Sequence, residues 1–484
     1  LTPGPNQGDT TMPKRAVSNK VHQWLVGELE TWQREEIVSP EQSSRILALY
    51  ETPSEVADRR QSLAMITLMG LAAVMVGLAA LLLVGYNWDA MPAVVKLTLI
   101  FGSILVAHGV GFHLRYQRGH KIASEVAFLL GCLFYGVGIW QVAQIFHIQS
   151  HYPNGIWIWA VAVLPMALCL ETPLLHVLFA GLMAIWAGTE ILGFGELGMW
   201  FFGRWHALSN GAYSLPLLAA PGVLWAYRKR SVATVAVYVP LLAWWIVLQP
   251  FAWDWETCAV FFIGAVGGLL LLVSQVHPQG SPLRVIYRLY GVLMAAGVLV
   301  PMSFYEFNKE IFHWHPWKDY QVSGLLAAPA IVALSIVVIG LAAFFSRQST
   351  ERRASLPDSM MAIVRGQWLP LGFIFLMAVL PALNTILIIT GDNPALAALL
   401  TTVSANLAMM VLAVWLIHIG LDEDRGQPFA AGVIYFLLWA VFRYIDLFAD
   451  FGGMLGAALM FFLVGAALFG MAIFWRKRKE IRHG

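Results

Sequence analysis

From about residue 64 to its end the chain alternates long apolar runs with short polar connections, while the first sixty residues follow a different pattern. Residues 1–19 are rich in Gly, Pro, Thr and charge without periodicity, which predicts a disordered tail. Residues 20–62 predict a soluble helical hairpin at the membrane surface. Its first helix carries Trp24, Leu25, Leu29 and Trp32 on one stripe and ends near Ile37. Its second opens at Ser39-Pro40-Glu41-Gln42: Ser39 can cap, Pro40 suits the first helical position, and Gln42 completes a capping box. Thr52-Pro53-Ser54-Glu55 repeats the signal and launches a third helix into the first apolar run.

A bilayer core takes roughly 20 helical residues. By that ruler the chain holds about fourteen spans, at 64–84, 93–114, 123–146, 155–170, 173–193, 211–227, 232–250, 256–276, 287–306, 323–345, 366–389, 395–419, 428–449 and 453–474. The fourth is short, and the pair flanking Glu171-Thr172-Pro173 has the alternative of a re-entrant hairpin. The runs lack strict alternation and are twice too long for barrel strands. The expected fold is therefore all-α, a polytopic membrane helix bundle. Its segments are a first membrane group over 63–193, a second over 194–475, and a basic tail over 476–484.

Composition agrees with a surface facing lipid. Charged residues make up 12% of the chain and hydrophobic residues 59%, against about a quarter charged in an ordinary soluble domain. A net charge of +2 gives no reason to expect nucleic acid as a partner. Cys132, Cys169 and Cys258 lie in or beside apolar segments without metal-ligand or redox spacing, and read as small hydrophobes. The first apolar run is long enough to span, so no cleavable signal peptide is expected.

Charge also orients the bundle. With a cytoplasmic N-terminus, 25 of the 30 Lys and Arg fall on the inner side, and only Arg204, Lys309 and Lys318 outside. Dropping the five N-terminal charges farthest from the bilayer still leaves 20 against 3, as the positive-inside rule requires. Both termini are thus expected in the cytoplasm, with the bacterial inner membrane as location. The outer loops, including YNWDAMP, HIQSHYPNGIWIW, PFAWDWE and FHWHPWKDY, are rich in Trp and Tyr. Such rings favour the headgroup level, and an interface belt explains them better than a ligand-stacking surface does.

Two stretches, YNWDAMPAVVKL at 86–97 and GVGIWQVAQIFHI at 136–148, resemble the bacterial membrane proteins catalogued as domain of unknown function 2157. The resemblance runs over roughly residues 20–190. It rests on Trp24 and Gly27 in the hairpin, Asn87-Trp88-Asp89 before a span opening with Lys96, and Gln141 and Gln144 before His147. It implies a membrane protein and no particular activity.

Polar groups inside a bilayer cost roughly 2.5–3.5 kcal/mol for a central charge, so they mark places to look for chemistry. Arg443 lies in the outer half of its span, with Asp446 at i+3 on the same face and Asp450 beyond. Glu190, Gln141, Gln144 and Asn384 fall at similar depth; Lys96 opens its span from outside, and Asp89 lies in the preceding loop. One reading makes these interfacial anchors and interhelical hydrogen bonds. The other makes them the lining of an outward-facing cavity, with Arg443 paired to Asp446, Glu190 or both. His108 with His113, His147 with His151 and His313 with His315 read as packing or interfacial residues, and no cofactor or metal is expected. No Walker loop, HExxH or GxSxG motif appears. Three functions compete. The leading one is transport or binding of a small polar or lipid-linked solute. The others are an accessory subunit that holds a membrane complex through the hairpin, and an intramembrane enzyme acting on lipid-linked substrate. Beyond such a complex, membrane lipids are the expected partners.

Overall fold

A computed structural model describes the chain except for residues 1–18, 51, 87–91, 149–152, 194–210, 279, 314–316, 349–355, 365–366, 392, 424–425, 451–461 and 463–484. The expected disordered tail, the fourteenth span and the basic C-terminal tail lie outside the described residues, Asn19 and Phe462 apart. Among the described residues every regular element is a helix, and the chain divides into two compact units, Leu1–Gln149 and Ser150–Gly484.

The first unit contains α1 (Asn19–Arg34), α2 (Pro40–Ala48), α3 (Pro53–Tyr86), α4 (Ala93–Phe112) and α5 (Lys121–Ile145). Both capping boxes form. The Gln42 N–H donates to Ser39 Oγ at 3.2 Å while the Ser39 N–H donates to Gln42 Oε1 at 3.0 Å. Thr52 and Glu55 repeat the exchange at 3.3 and 2.9 Å, which starts α3 where the sequence places it. α1 ends at Arg34 rather than near Ile37, because Glu36 turns the chain in the left-handed region with φ 57°. The expected stripe splits: Leu29 is 1% exposed and Trp24 is 59% exposed.

α4 packs on α5 through glycines that receive the neighbouring side chains. A methyl group at Gly131 would meet the His108 ring at 2.3 Å, one at Gly138 would meet Ile100 at 2.9 Å, and one at Gly111 would meet Phe128 at 3.0 Å. Small residues that let helices approach replace the hydrophobic drive that lipid removes. His108 Nδ1 lies 2.8 Å from the Ile104 carbonyl, so this histidine of an apolar span finds a partner on its own helix.

The second unit runs through α6 (Pro153–Leu170), α7 (Pro173–Leu192), α8 (Ser214–Arg228), α9 (Val232–Ala252), α10 (Ala259–Ser274), α11 (Pro282–Met302) and α12 (Tyr305–His313). α13 (Trp317–Gln348), α14 (Leu356–Val364), α15 (Trp368–Gly391), α16 (Pro394–Asp422) and α17 (Gly426–Asp450) follow. α10 is its axis: the 18-residue apolar stretch around it is 78% buried, more than any other span among the described residues. A methyl at Gly267 would meet the Ala295 backbone nitrogen of α11 at 2.7 Å, and one at Gly264 the Met377 sulfur of α15 at 2.4 Å. α11 therefore meets α10 at near-backbone contact, and α15 packs on it through the Met377 side chain.

Among the described residues eleven helices are long and apolar enough to cross a membrane. Three expected spans are missing from that number for separate reasons. The apolar part of α3 qualifies only over Thr67–Ala79 among its described residues, α8 has 15 residues, and the fourteenth span is not described. At 1.5 Å per residue α8 rises about 22 Å, short of a roughly 30 Å core. The fourth and fifth segments are separate helices, each long enough to span. Their turn uses Glu171 at φ 52°, and Pro173 opens the next helix.

Candidate functional site

Within the second unit two polar layers lie on the same pair of helices, α11 and α16. They are separated on α11 by the stretch from Arg288 to Ser303, roughly 22 Å at 1.5 Å per residue.

At one end α11 stops. Pro301 lies in its last turn, Ser303 leaves the helix, and α12 begins two residues later at Tyr305. Helix ends leave backbone carbonyls without intrahelical partners, and here side-chain amides take them. Asn308 Nδ2 donates to the Met302 carbonyl at 2.7 Å and to Thr402 Oγ1 at 2.8 Å. Asn406 Nδ2 donates to the Ser303 carbonyl at 3.0 Å and to the Thr402 carbonyl at 2.8 Å, while its Oδ1 accepts from Trp439 Nε1 at 2.9 Å. Arg443 Nη2 donates to Ser303 Oγ at 3.3 Å, and the guanidinium lies 4.9 Å from the Phe304 ring centroid, within cation–π range. Beside Thr402, Thr401 Oγ1 accepts from Asn384 Nδ2 at 2.8 Å. Asn384 is fully buried, and its Oδ1 has no hydrogen-bond partner among the described residues.

The other end is charged. Arg288, 7% exposed, forks onto Glu423 with Nη1–Oε2 at 2.9 Å and Nη2–Oε1 at 2.8 Å. Arg284 Nη2 reaches Glu423 Oε1 at 3.0 Å and donates to Gln275 Oε1 at 2.8 Å. A cleft of about 180 Å³ opens here, lined by Gln275, Arg284, Gln367, Trp415, Asp422 and Glu423 among others. His277 stacks on the rings of Tyr227 and Tyr287, whose hydroxyls hydrogen-bond to each other. Burial, and after it the Arg284 charge, holds the His277 imidazole below the usual histidine range.

Of the residues singled out from sequence, Arg443 and Asn384 both join the amide layer, through Ser303 and through Thr401. Glu190 lies half-buried near the end of α7. Asp446 continues α17, with its side chain outside the described residues, as Asp89 is altogether. Lys96, Gln141 and Gln144 belong to the first unit: Lys96 is half-buried in the first turn of α4, Gln141 is buried, and Gln144 is exposed. The sequence reading missed Ser303, Asn308, Thr402, Asn406 and Trp439 at one end, and the pairing of Arg284 and Arg288 with Glu423 at the other. Asn406, a carboxamide inside an apolar run, carried the same signal as Asn384.

The motifs of the hairpin and of α4 and α5 sit in a recognisable frame. Residues 30–176 match the family described as predicted membrane protein (DUF2157). The match falls within the stretch whose motifs resemble that family, and the chain is a membrane protein by this match and by its apolar helices. Among curated proteins the chain is 23% identical over 287 residues to the L-lysine transport protein of Corynebacterium glutamicum. The alignment covers 55% of this chain and 52% of that relative, so the chain spans about half the relative's length. No solved structure matches.

Proposed function

We propose that the second unit binds a small polar or lipid-linked solute at the amide layer and carries it across a bacterial cytoplasmic membrane, both termini being cytoplasmic. The observation that carries this reading is the break between α11 and α12, bridged by two carboxamides, a threonine, a serine and a guanidinium. Interrupted helices that present backbone and amide groups to an enclosed space are how many transporters build solute sites. Asn384 Oδ1, buried without a partner among the described residues, offers an acceptor for a ligand donor, and Arg443 suits an anionic group. The similarity to an L-lysine transport protein points the same way. The orientation draws support from geometry: Glu171 pairs with Lys229 at 2.7 Å, and Tyr227 meets Tyr287. Loops that the charge bias assigns to the inside thus gather at one end of the unit.

The test is ligand-induced thermal stabilisation and uptake with purified protein in liposomes, across amino acids, organic acids and lipid-linked sugars. One class is expected to stabilise the protein and to be taken up. Arg443→Met and Asn384→Leu are expected to abolish both responses while the proteins still unfold cooperatively. Binding unchanged in both variants, or no response to any class, defeats the proposal.

A further inference from the structure

The cleft at the charged end of α11 is built where four helices begin or stop. α10 ends there at Ser274 and α16 at Asp422, while α11 starts at Pro282 and α15 at Trp368. Helix ends of both senses meet, so their partial charges offset and the side chains decide what the cleft attracts. Gln275 and Glu423 are the C-caps of α10 and α16, and Gln367 immediately precedes α15. Trp415, Ile419 and Asp422 follow one another at i+4 and i+3, which puts them on one face of the last turns of α16.

Charge is unevenly spread over this lining. On its buried side Arg284 and Arg288 share the Glu423 carboxylate, with side chains 12%, 8% and 12% exposed. Two guanidiniums against one carboxylate leave that side with a positive excess, which a second anion would relieve. Towards solvent the sign reverses. The Asp422 side chain is 44% exposed, and its Oδ2 lies 2.9 Å from His418 Nδ1. A neutral imidazole donating through Nδ1 holds that carboxylate in place and leaves its charge unspent. Gln367 adds a carboxamide, which donates to a carboxylate or accepts from an ammonium. Trp415 and Ile419 supply the apolar part. At roughly 30 Å³ for each water-sized group, the cleft of about 180 Å³ takes about six, the scale of a small amino acid.

We propose that this cleft is a second binding site, which takes a small zwitterion: an α-amino acid with an apolar side chain. Its carboxylate lies on the Arg284 side, its ammonium on the Asp422 side, and its side chain against Trp415 and Ile419. Opposite charges at the two sides of one small cleft select a molecule that carries both, and a ligand with one charge meets repulsion at one side. The ion pair of Arg288 with Glu423 stays in place behind the ligand. The site does not depend on what the amide layer binds.

Titration calorimetry of the full-length protein in nanodiscs of zwitterionic lipid tests this with three probes of similar size. L-valine carries both charges, L-valinamide only the ammonium, and N-acetyl-L-valine only the carboxylate. L-valine is expected to bind, and each of the others to bind about tenfold more weakly or less, because each forgoes a charge-assisted bond. Asp422→Asn, at a half-exposed position outside the buried ion pair, is expected to weaken L-valine by a similar factor. Arg443→Met and Asn384→Leu are expected to leave L-valine binding unchanged, which separates this site from the amide layer. No binding of L-valine overturns the proposal, as does equal binding of either singly charged probe, and neither result needs a variant to fold. Undiminished binding in Asp422→Asn, or loss of binding in Arg443→Met, overturns it equally.

Discussion

At one end of α11 a guanidinium forks onto a carboxylate; at the other, two carbonyls and a hydroxyl receive two amides and the Arg443 guanidinium. Both arrangements tie α11 to α16, yet they differ in what they tolerate. A buried ion pair gains little over well-packed apolar residues, because both charges lose their water, but removing one partner strands the other. An amide network is built from weaker, interchangeable bonds, about 1 kcal/mol each. It can lose a partner and accept a replacement, which a solute site must do. The charged end suits a fixed tie and the amide end suits exchange.

The largest effect is expected from Glu423→Ala. Arg288 would remain buried without its carboxylate, and the loss is expected to be about 3–5 kcal/mol. The double variant Arg288→Met with Glu423→Leu is expected to recover most of it, read by denaturant unfolding in detergent. A single-variant loss below about 1 kcal/mol would mean that the charges are solvated as at an exposed site. A smaller effect is expected at the other end. Asn406→Leu deprives the Ser303 carbonyl and the Trp439 indole of partners, for about 2 kcal/mol. If it costs as much as Glu423→Ala in the same assay, the contrast between the ends is lost.

The smallest effect concerns pH. His277 titrates below the usual value of about 6.5, so the unfolded chain takes up this proton first. Its contribution is complete above about pH 6.5 and is lost as pH falls towards the folded value. A modest decline in unfolding midpoint over that window is expected, flattened in His277→Gln. An identical decline in that variant would assign the effect to other groups.

The periodic and punctuating parts of the fold were legible in the sequence. Ser39 and Thr52 cap where their neighbours said they would, and apolar run length located the spans. α8, at 15 residues, is shorter than the apolar run from which its span was read. The sites were less legible. Arg284 and Arg288 counted only towards the inner-side charge, although their i, i+4 spacing put them on one helix face; their partner lies 135 residues beyond Arg288. Ser303 gave no signal, since a serine after an apolar helix looks like any loop residue until Asn406 and Arg443 are seen to reach it. Depth along a span can be reckoned from sequence, but which spans face each other cannot.

Those long separations set a schedule for biosynthesis. Asn406 leaves the ribosome 103 residues after Ser303, and Glu423 leaves it 135 residues after Arg288. At 5–20 residues per second, α11 waits roughly 7–27 s for its carboxylate. During that interval Arg288 cannot rest in lipid uncompensated. It stays at the headgroups, where its side chain can reach water, or against the insertion machinery. α11 therefore reaches its final packing only when α16 arrives. A ribosome that stalls between the two leaves Arg288 without the carboxylate that holds it in the finished fold.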